Sequence, residues 1–189
     1  MRDQLARWIS ILAHPFVVSL LLIASAAVRF VGAQNRAAVI FSIVSIVILP
    51  LGWFMYHQTR CGRWKNVDAS DRSERPVLYA SALILTAALG LYLFQNPATR
   101  VLARGAFGML GLLIVGRILN VIVKSSMHVA VLTFAAVLLC LIEWKLGLAL
   151  AILVPAVAWA RVAMQRHSRS EVSAGLLLGF GAAMAVRFL

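Results

Sequence analysis

A chain of 189 residues that is 62% hydrophobic and only 13% charged is too apolar for a soluble globular domain, since such domains average about 45–50% apolar and about 25% charged residues. The formal net charge of +12 would suit a nucleic-acid-binding protein. The basic residues, however, lie at the ends of apolar segments and in short loops, where they would contact lipid headgroups. The composition therefore argues against soluble and nucleic-acid-binding classes and predicts a protein surrounded by membrane lipids.

Seven apolar runs follow one another along the chain. They cover residues 9–30, 37–56, 77–95, 101–123, 129–142, 146–160 and 172–189. A helix needs about 20 apolar residues to cross the hydrocarbon, and backbone groups there must be satisfied within the segment, so the runs are predicted to be helices. Because the fifth and sixth runs are short, we expect an all-α, polytopic transmembrane helix bundle of six or seven spans, with seven preferred. The crossings occupy most of the chain, so residues 1–189 are predicted to form a single membrane domain.

The first run begins as an amphipathic segment. Arg2, Arg7 and Trp8 precede the sequence His14-Pro15, which predicts a segment lying along the membrane interface up to that point. No small-residue cleavage site is visible, so we expect a retained first helix and not a signal peptide.

Glycines recur at helical spacing in two of the later runs. They are Gly105, Gly108 and Gly111 in one run and Gly175 and Gly179 in another. Small residues at such spacing let membrane helices approach closely. The pattern predicts tight helix packing and carries no information about chemistry.

Three polar segments remain between the runs, at residues 57–76, 124–128 and 161–171. Two apolar runs separate the first segment from the second, and two more separate the second from the third. An even number of crossings returns the chain to the same face of the membrane. We therefore expect the three segments to lie at one face and to converge on one site.

The last polar segment carries the strongest chemical pattern. His167 and Glu171 are four residues apart, so a helix starting here places them on one face. A carboxylate there can accept a hydrogen bond from one imidazole nitrogen, which leaves the other nitrogen free as a base or a nucleophile. Arg161 adds a planar donor fork that suits phosphate. A solvated basic loop is the plainer interpretation of the same residues.

The other two segments carry weaker patterns. Lys124 and His128 lie beside hydroxyl groups in Lys-Ser-Ser-Met-His, where they could hold an anion and protonate a leaving oxygen. A lone interfacial histidine is more often structural. Arg72 and Arg75 are one helical turn apart just before Pro76, a residue that suits a helix start. A mixed-charge headgroup loop is the alternative interpretation there.

Together the three segments resemble the signature of the type-2 phosphatidic acid phosphatase superfamily, which includes the lipid phosphate phosphatases and the vanadium haloperoxidases. Its motifs are Lys-x6-Arg-Pro, Pro-Ser-Gly-His and Ser-Arg-x5-His-x3-Asp. The matching stretches here are Arg75-Pro76, Ser125-Ser126-Met127-His128 and Ala160-Arg161-x5-His167-x3-Glu171. The resemblance covers about residues 65–189.

The resemblance implies a metal-independent phosphatase that needs no cofactor. His167 would attack phosphorus to form a phosphohistidine and Glu171 would orient it, while His128 would protonate the leaving group. The phosphate-binding residues would be Arg161, Arg75, Arg72, Lys124 and Ser126. The substrate would be a lipid phosphate or an isoprenoid (di)phosphate, and the protein would be a multi-pass component of a bacterial cell (inner) membrane.

The chain departs from this family pattern most clearly in the first motif. Asp68 stands where the family has lysine, and Lys65, Arg72 or Lys124 could supply the missing positive charge. Three further positions differ, with methionine for glycine at 127, alanine for serine at 160 and glutamate for aspartate at 171. A divergent substrate and an inactive enzyme both stay open as interpretations.

Three other classes of protein compete with the phosphatase. A magnesium-dependent membrane phosphotransferase or prenyltransferase needs carboxylate clusters, but Asp68, Asp71 and Glu74 are interleaved with arginines that repel a cation. A non-catalytic membrane scaffold or lipid-binding protein is the second alternative. A transporter or channel is the third, indicated by a polar stripe in the fourth run that leads towards His128.

Overall fold

The structure is a computed structural model that describes residues 2–69 and 71–188. Met1, Ser70 (in the first polar segment) and Leu189 (at the end of the last apolar run) lie outside the described residues. Within those ranges the chain is helical and contains no strand. The helices are α1 (Arg2–Leu12), α2 (Pro15–Phe30), α3 (Ala33–Ile43), α4 (Leu49–Arg60), α5 (Arg75–Gln95), α6 (Arg100–Leu119), α7 (Met127–Ile142), α8 (Trp144–Ala163) and α9 (Arg169–Ala185). A π-helical turn, Val44–Ile48, joins α3 to α4, and a 3-10 turn, Val186–Phe188, follows α9.

Six helical segments of the described chain are long and apolar enough to cross a membrane. Two of them combine neighbouring helices, α1 with α2 and α3 with α4, and the other four are α5, α6, α8 and α9. The seventh apolar helix, α7, has 16 residues and is therefore about 24 Å long at 1.5 Å per residue. The prediction of an all-α bundle with six or seven spans is confirmed. The sixth run is longer than predicted, because α8 continues through Arg161 and has 20 residues.

The short helix α7 lies at the centre of the bundle. Leu132, Phe134 and Leu139 are fully buried, and α2, α8 and α9 pack around the helix. Because protein surrounds α7 on these sides, its length does not have to match the thickness of a bilayer. The residues at its N-terminus are consequently buried among other helices.

The first predicted run is broken where the sequence indicates. α1 ends before His14, whose Nδ1 accepts the backbone N–H of Phe16 at 3.3 Å and so caps α2. α1 packs against α8 and leaves Leu5, Trp8 and Leu12 exposed. The amphipathic segment is thus a separate helix, and its position along a membrane interface stays a prediction.

Close backbone packing joins α9 to α7. A Cβ added to Gly175 would lie 2.6 Å from the Ser126 carbonyl oxygen, and one added to Gly179 would lie 2.2 Å from the Ala130 carbonyl oxygen. These two glycines confirm the predicted close approach. The same prediction holds for only one of the three glycines of α6, since position 108 meets the side chain of Val186 while positions 105 and 111 face open space.

We expect Gly179→Ala to lower the thermal unfolding temperature of the purified protein in detergent. The added Cβ would clash with the Ala130 carbonyl oxygen, and overpacking typically costs about 1–3 kcal/mol. Gly181→Ala is the matched control, because no heavy atom lies within 4 Å of its added Cβ in the same helix. Equal unfolding temperatures for the two variants would contradict the backbone contact between α7 and α9.

The three polar segments meet at one end of the bundle, as the even number of crossings predicts. Arg75 Nη1 donates to the Ser125 carbonyl oxygen at 2.9 Å. The Ser126 N–H donates to the Glu171 carbonyl oxygen at 3.0 Å. Each bond joins two segments that are distant in sequence. The most polar side chains of the chain are therefore gathered where α5, α7 and α9 begin.

Candidate active site

A cavity of about 420 Å³ lies between α2, α5, α6 and α7. Ionisable side chains line one end of it, namely His14, Asp68, Arg75, His128, Arg161 and His167. Mostly apolar side chains line the rest, as far as Ile142 in the last turn of α7. Such a shape fits an amphiphile whose charged group binds among the histidines and arginines.

His167 is held by Glu171. Its Nδ1 lies 2.9 Å from Glu171 Oε2, and because a carboxylate can only accept, we assign the proton to Nδ1 and the free lone pair to Nε2. Ser168 fixes this carboxylate: Oε2 accepts the Ser168 N–H at 3.1 Å, while Ser168 Oγ accepts the Glu171 N–H at 3.3 Å. The predicted pair thus forms, but through a capping box at the start of α9 and not along a shared helical face, since His167 precedes the helix.

Arg75 and Arg161 are cations buried at the polar end of the cavity, 5% and 2% exposed. Arg75 Nη2 lies 3.5 Å from His167 Nε2, and Arg161 Nη1 donates to Ser10 Oγ and to Asp68 Oδ2, both at 2.9 Å. The Nε–H of each guanidinium has no hydrogen-bond partner among the described residues. Two buried donors without partners, beside the lone pair of His167, complement an anion such as a phosphoryl group.

His128 completes the polar end together with two residues that the sequence did not identify as parts of a site. Its ring meets that of His14 edge-on, with centroids 5.3 Å apart. One ring nitrogen from each histidine and one Asp68 oxygen all lie within 4.8 Å of one another. Two signals were present in the sequence, a histidine interrupting an apolar run and a carboxylate where the resembled family has lysine. Neither indicates that the two residues meet.

Asp68 is ionised in this position. Burial raises the pKa of its carboxyl group, but the positive charges of His128 and Arg161 lower it by more, so the pKa lies below its ordinary value. The negative charge in turn stabilises a proton on the neighbouring histidine, since opposite charges at this separation attract strongly away from water.

Arg72 and Lys65 do not line the cavity. Arg72 donates from Nε to the carbonyl oxygen of Asn120 at 2.7 Å and from Nη2 to that of Val121, so its guanidinium caps the end of α6. The ammonium group of Lys65 pairs with Asp71 at 2.8 Å. Neither cation occupies the place of the lysine in the resembled motif.

Lys124 and Ser126 lie beside the cavity and not on its surface. Lys124 Nζ is 4.0 Å from Glu171 Oε2, and so belongs to the group that surrounds the His167–Glu171 pair. Ser126 Oγ is buried and has no hydrogen-bond partner among the described residues. Of the predicted site residues, the structure therefore brings His128, His167, Arg75 and Arg161 onto one cavity.

The imidazole of His167 is neutral at pH 7. Burial, followed by the positive charges of Arg75 and Arg161, lowers its pKa to about 4, although the hydrogen bond to Glu171 acts in the opposite direction. A neutral ring leaves the Nε2 lone pair available for attack on an electrophile.

We expect His167 to stay neutral down to about pH 4, because a base with a lowered pKa takes up its proton only in more acidic solution. NMR titration of protein labelled with ¹⁵N-histidine measures this, and the signal is identified by its loss in His167→Ala. Arg75→Gln removes a nearby positive charge, so the midpoint should move up. Lys65→Gln is the control and should leave it in place. A wild-type midpoint near the unperturbed value of about 6.5 would contradict the assigned surroundings.

Comparisons with known proteins add no relative to this geometry. No protein-family model, no curated protein and no solved structure matches the chain. What the site does is therefore argued from the contacts of its own residues.

Proposed function

We propose that the chain is a metal-independent membrane phosphatase that hydrolyses a lipid phosphate or a polyprenyl (di)phosphate through a phosphohistidine intermediate. One observation carries the proposal. In a cavity that continues into an apolar body, the free Nε2 of His167 lies beside Arg75, while Glu171 holds Nδ1 at 2.9 Å. A nucleophile, the group that orients it and a cation for its target thus lie together.

The first half of the proposed reaction forms a phosphorus–nitrogen bond. His167 Nε2 attacks phosphorus, the bond from phosphorus to the ester oxygen breaks, and the leaving oxygen takes a proton from His128. Glu171 stabilises the positive charge that develops on the His167 ring. His128 suits the donor role because it lines the same cavity and the charge of Asp68 favours its protonated form.

The second half returns the enzyme to its starting state. Water attacks the phosphorus of the phosphohistidine, the neutral His128 takes a proton from that water, and the phosphorus–nitrogen bond breaks to release phosphate. His128 is then protonated again and His167 is neutral. Every proton released is accepted within the site, so the cycle requires water as its only second reactant.

Arg75 and Arg161 supply the electrostatic part of the proposed mechanism. Their unpartnered Nε–H groups lie in a buried site, where donors of fixed position stabilise charge on phosphoryl oxygens far better than they would in water. Arg161 is held by Ser10 and Asp68, so little reorganisation is needed when the substrate binds.

The shape of the cavity supports a substrate with a hydrocarbon chain. From His128 to Ile142 it follows the whole length of α7, and its apolar lining would bury a tail while the phosphate occupies the polar end. A soluble phosphate ester would leave that lining without a function.

The carboxylates of the first polar segment give little support to a magnesium-dependent transferase. Asp71 is paired with Lys65, Glu74 accepts the Lys65 backbone N–H at 2.7 Å, and Asp68 is paired with Arg161. The three carboxylates are thus engaged separately and do not form a cluster of oxygen ligands, which is what Mg²⁺ prefers.

Phosphate release from a panel of lipid phosphates in detergent tests the proposal. We expect release to persist in EDTA, because the proposed steps use only histidine, arginine and carboxylate side chains. Orthovanadate should inhibit, since it adopts the five-coordinate geometry of the transition state and such analogues bind tightly. Release that vanishes in EDTA and returns with magnesium would favour the transferase. No release from any lipid phosphate would favour the non-catalytic scaffold or lipid-binding protein.

A further inference from the structure

The group formed by His14, Asp68 and His128 has more capacity than the proposed reaction uses. Its three potential ligand atoms lie within 4.8 Å of one another, and no other such group of three occurs among the described residues. The three side chains come from different places: the α1–α2 junction, the loop before α5 and the N-terminus of α7. The reaction above requires the proton of His128 and leaves His14 without a role.

Two imidazoles and one carboxylate are a ligand set that suits zinc and related transition metals. Ligands at about 2.0–2.2 Å from a tetrahedral ion lie about 3.3 Å apart. The observed group would therefore have to close by at most about 1.5 Å to hold one ion. Such a site would keep a fourth position open towards the cavity.

Each ligand can offer a free electron pair. Asp68 donates one oxygen to the hydrogen bond from Arg161, which leaves its other oxygen for a metal, and ligating carboxylates are commonly held in this way. His14 Nδ1 accepts only a long bond, 3.3 Å, from the Phe16 N–H. Metal at Nδ1 would replace that donor, and metal at Nε2 would require the ring proton to move to Nδ1.

The charge of Arg161 decides which ions fit. A guanidinium bonded to Asp68 at 2.9 Å opposes any divalent cation, so net negative charge does not hold the ion. Binding must come from the imidazole nitrogens, which favour zinc and cobalt. Magnesium prefers oxygen ligands and should not compete.

We propose that His14, Asp68 and His128 bind one divalent transition-metal ion of the zinc type, and that an ion bound there inhibits the phosphatase reaction. The binding stands on the ligand geometry alone. The inhibition rests on the proposed function: coordination takes the His128 electron pair that would carry the proton for the leaving group. Metal and substrate turnover then exclude each other at one histidine.

Direct metal binding tests the first part. Purified protein in detergent is stripped with EDTA, dialysed against radioactive zinc and, separately, titrated with Co²⁺ while its visible absorption is followed. We expect one zinc per chain, displaced by Co²⁺ and not by Mg²⁺. His14→Phe and Asp68→Asn should each weaken zinc binding by at least the 10–100-fold that loss of a group behind a metal ligand costs.

Two further variants keep this test sharp. His14→Phe retains a ring against Phe16 and His128 but has no electron pair to donate, so lost binding does not reflect lost packing. A double variant, His57→Ala with Cys61→Ser, removes an exposed pair of potential ligands whose closest atoms are 3.6 Å apart. Zinc binding must survive in the double variant. Loss of binding there, or unchanged affinity in both His14→Phe and Asp68→Asn, would overturn the site.

Hydrolysis in the presence of zinc tests the second part. Wild-type turnover should fall as zinc rises, and the inhibitory concentration should increase in His14→Phe by the same factor as the zinc dissociation constant. Turnover that ignores saturating zinc, or that requires zinc, would overturn the inhibition. Absence of any hydrolysis would overturn the proposed function together with the inhibition, while the dialysis result would still decide the binding.

Discussion

His167→Ala is expected to abolish turnover and to prevent any acid-labile phosphoenzyme from forming. Removal of the nucleophile of a catalytic unit lowers rates on the order of 10⁶-fold, because no other group can take its place at phosphorus. The measurement is a single turnover of purified protein in detergent with a radiolabelled lipid phosphate. The phosphoenzyme is trapped at alkaline pH, where a phosphohistidine is stable, and is then lost in acid.

Two variants frame that result. His57→Ala changes an exposed histidine of α4 and should label and turn over like the wild type. Glu171→Gln keeps a hydrogen-bond acceptor for Nδ1 but removes the charge that supports the phosphohistidine, so its rate should fall between those of wild type and His167→Ala. A His167→Ala protein with the wild-type rate would show that the assignment is wrong and that the resemblance to the phosphatase family carries no chemistry.

The architecture could be predicted from the sequence because a membrane permits few alternatives. Backbone groups in hydrocarbon must be paired within each helix, so long apolar runs are almost sufficient to define the elements. The meeting of the three polar segments followed from counting crossings, which needs no knowledge of packing. The π-helical turn Val44–Ile48 was not predicted, since nothing in a uniformly apolar run marks where its hydrogen bonding changes.

The His167–Glu171 pair could also be predicted, because it depends on residues only four apart. The capping box that holds it is local too, with Ser168 and Glu171 in the S-x-x-E spacing typical of a helix start. Local patterns of this kind survive whatever the rest of the chain does.

The partners of Arg161 could not be predicted, because they come from residues far apart in sequence. Ser10 and Asp68 both bond to it across a large sequence separation, and only the packing of α1 on α8 and the path of the loop before α5 bring them there. For the same reason, nothing in the sequence indicated that Arg72 would bond to backbone carbonyl oxygens beyond α6. An arginine one turn from another looks equally suited to phosphate until its neighbours are known.

His128→Ala is expected to behave differently from His167→Ala, although both remove an imidazole from the same cavity. The variant loses the proton donor and keeps the attacking nitrogen, and loss of general acid catalysis typically costs about 10²–10⁴-fold. That loss should depend on the leaving group, since an oxygen that departs easily as an anion needs little help from a proton. The measurement compares rates for a lipid phosphate monoester, a lipid diphosphate and p-nitrophenyl phosphate.

The pattern across those three substrates separates the two histidines. His128→Ala should recover most of the wild-type rate with p-nitrophenyl phosphate, part of it with the diphosphate and least with the monoester, while labelling of His167 persists. His167→Ala should recover with none of them, because a better leaving group cannot replace a missing nucleophile. An equal loss on all three substrates in His128→Ala would remove His128 from the role of proton donor. The geometry would then leave it as a structural neighbour of His14 and Asp68.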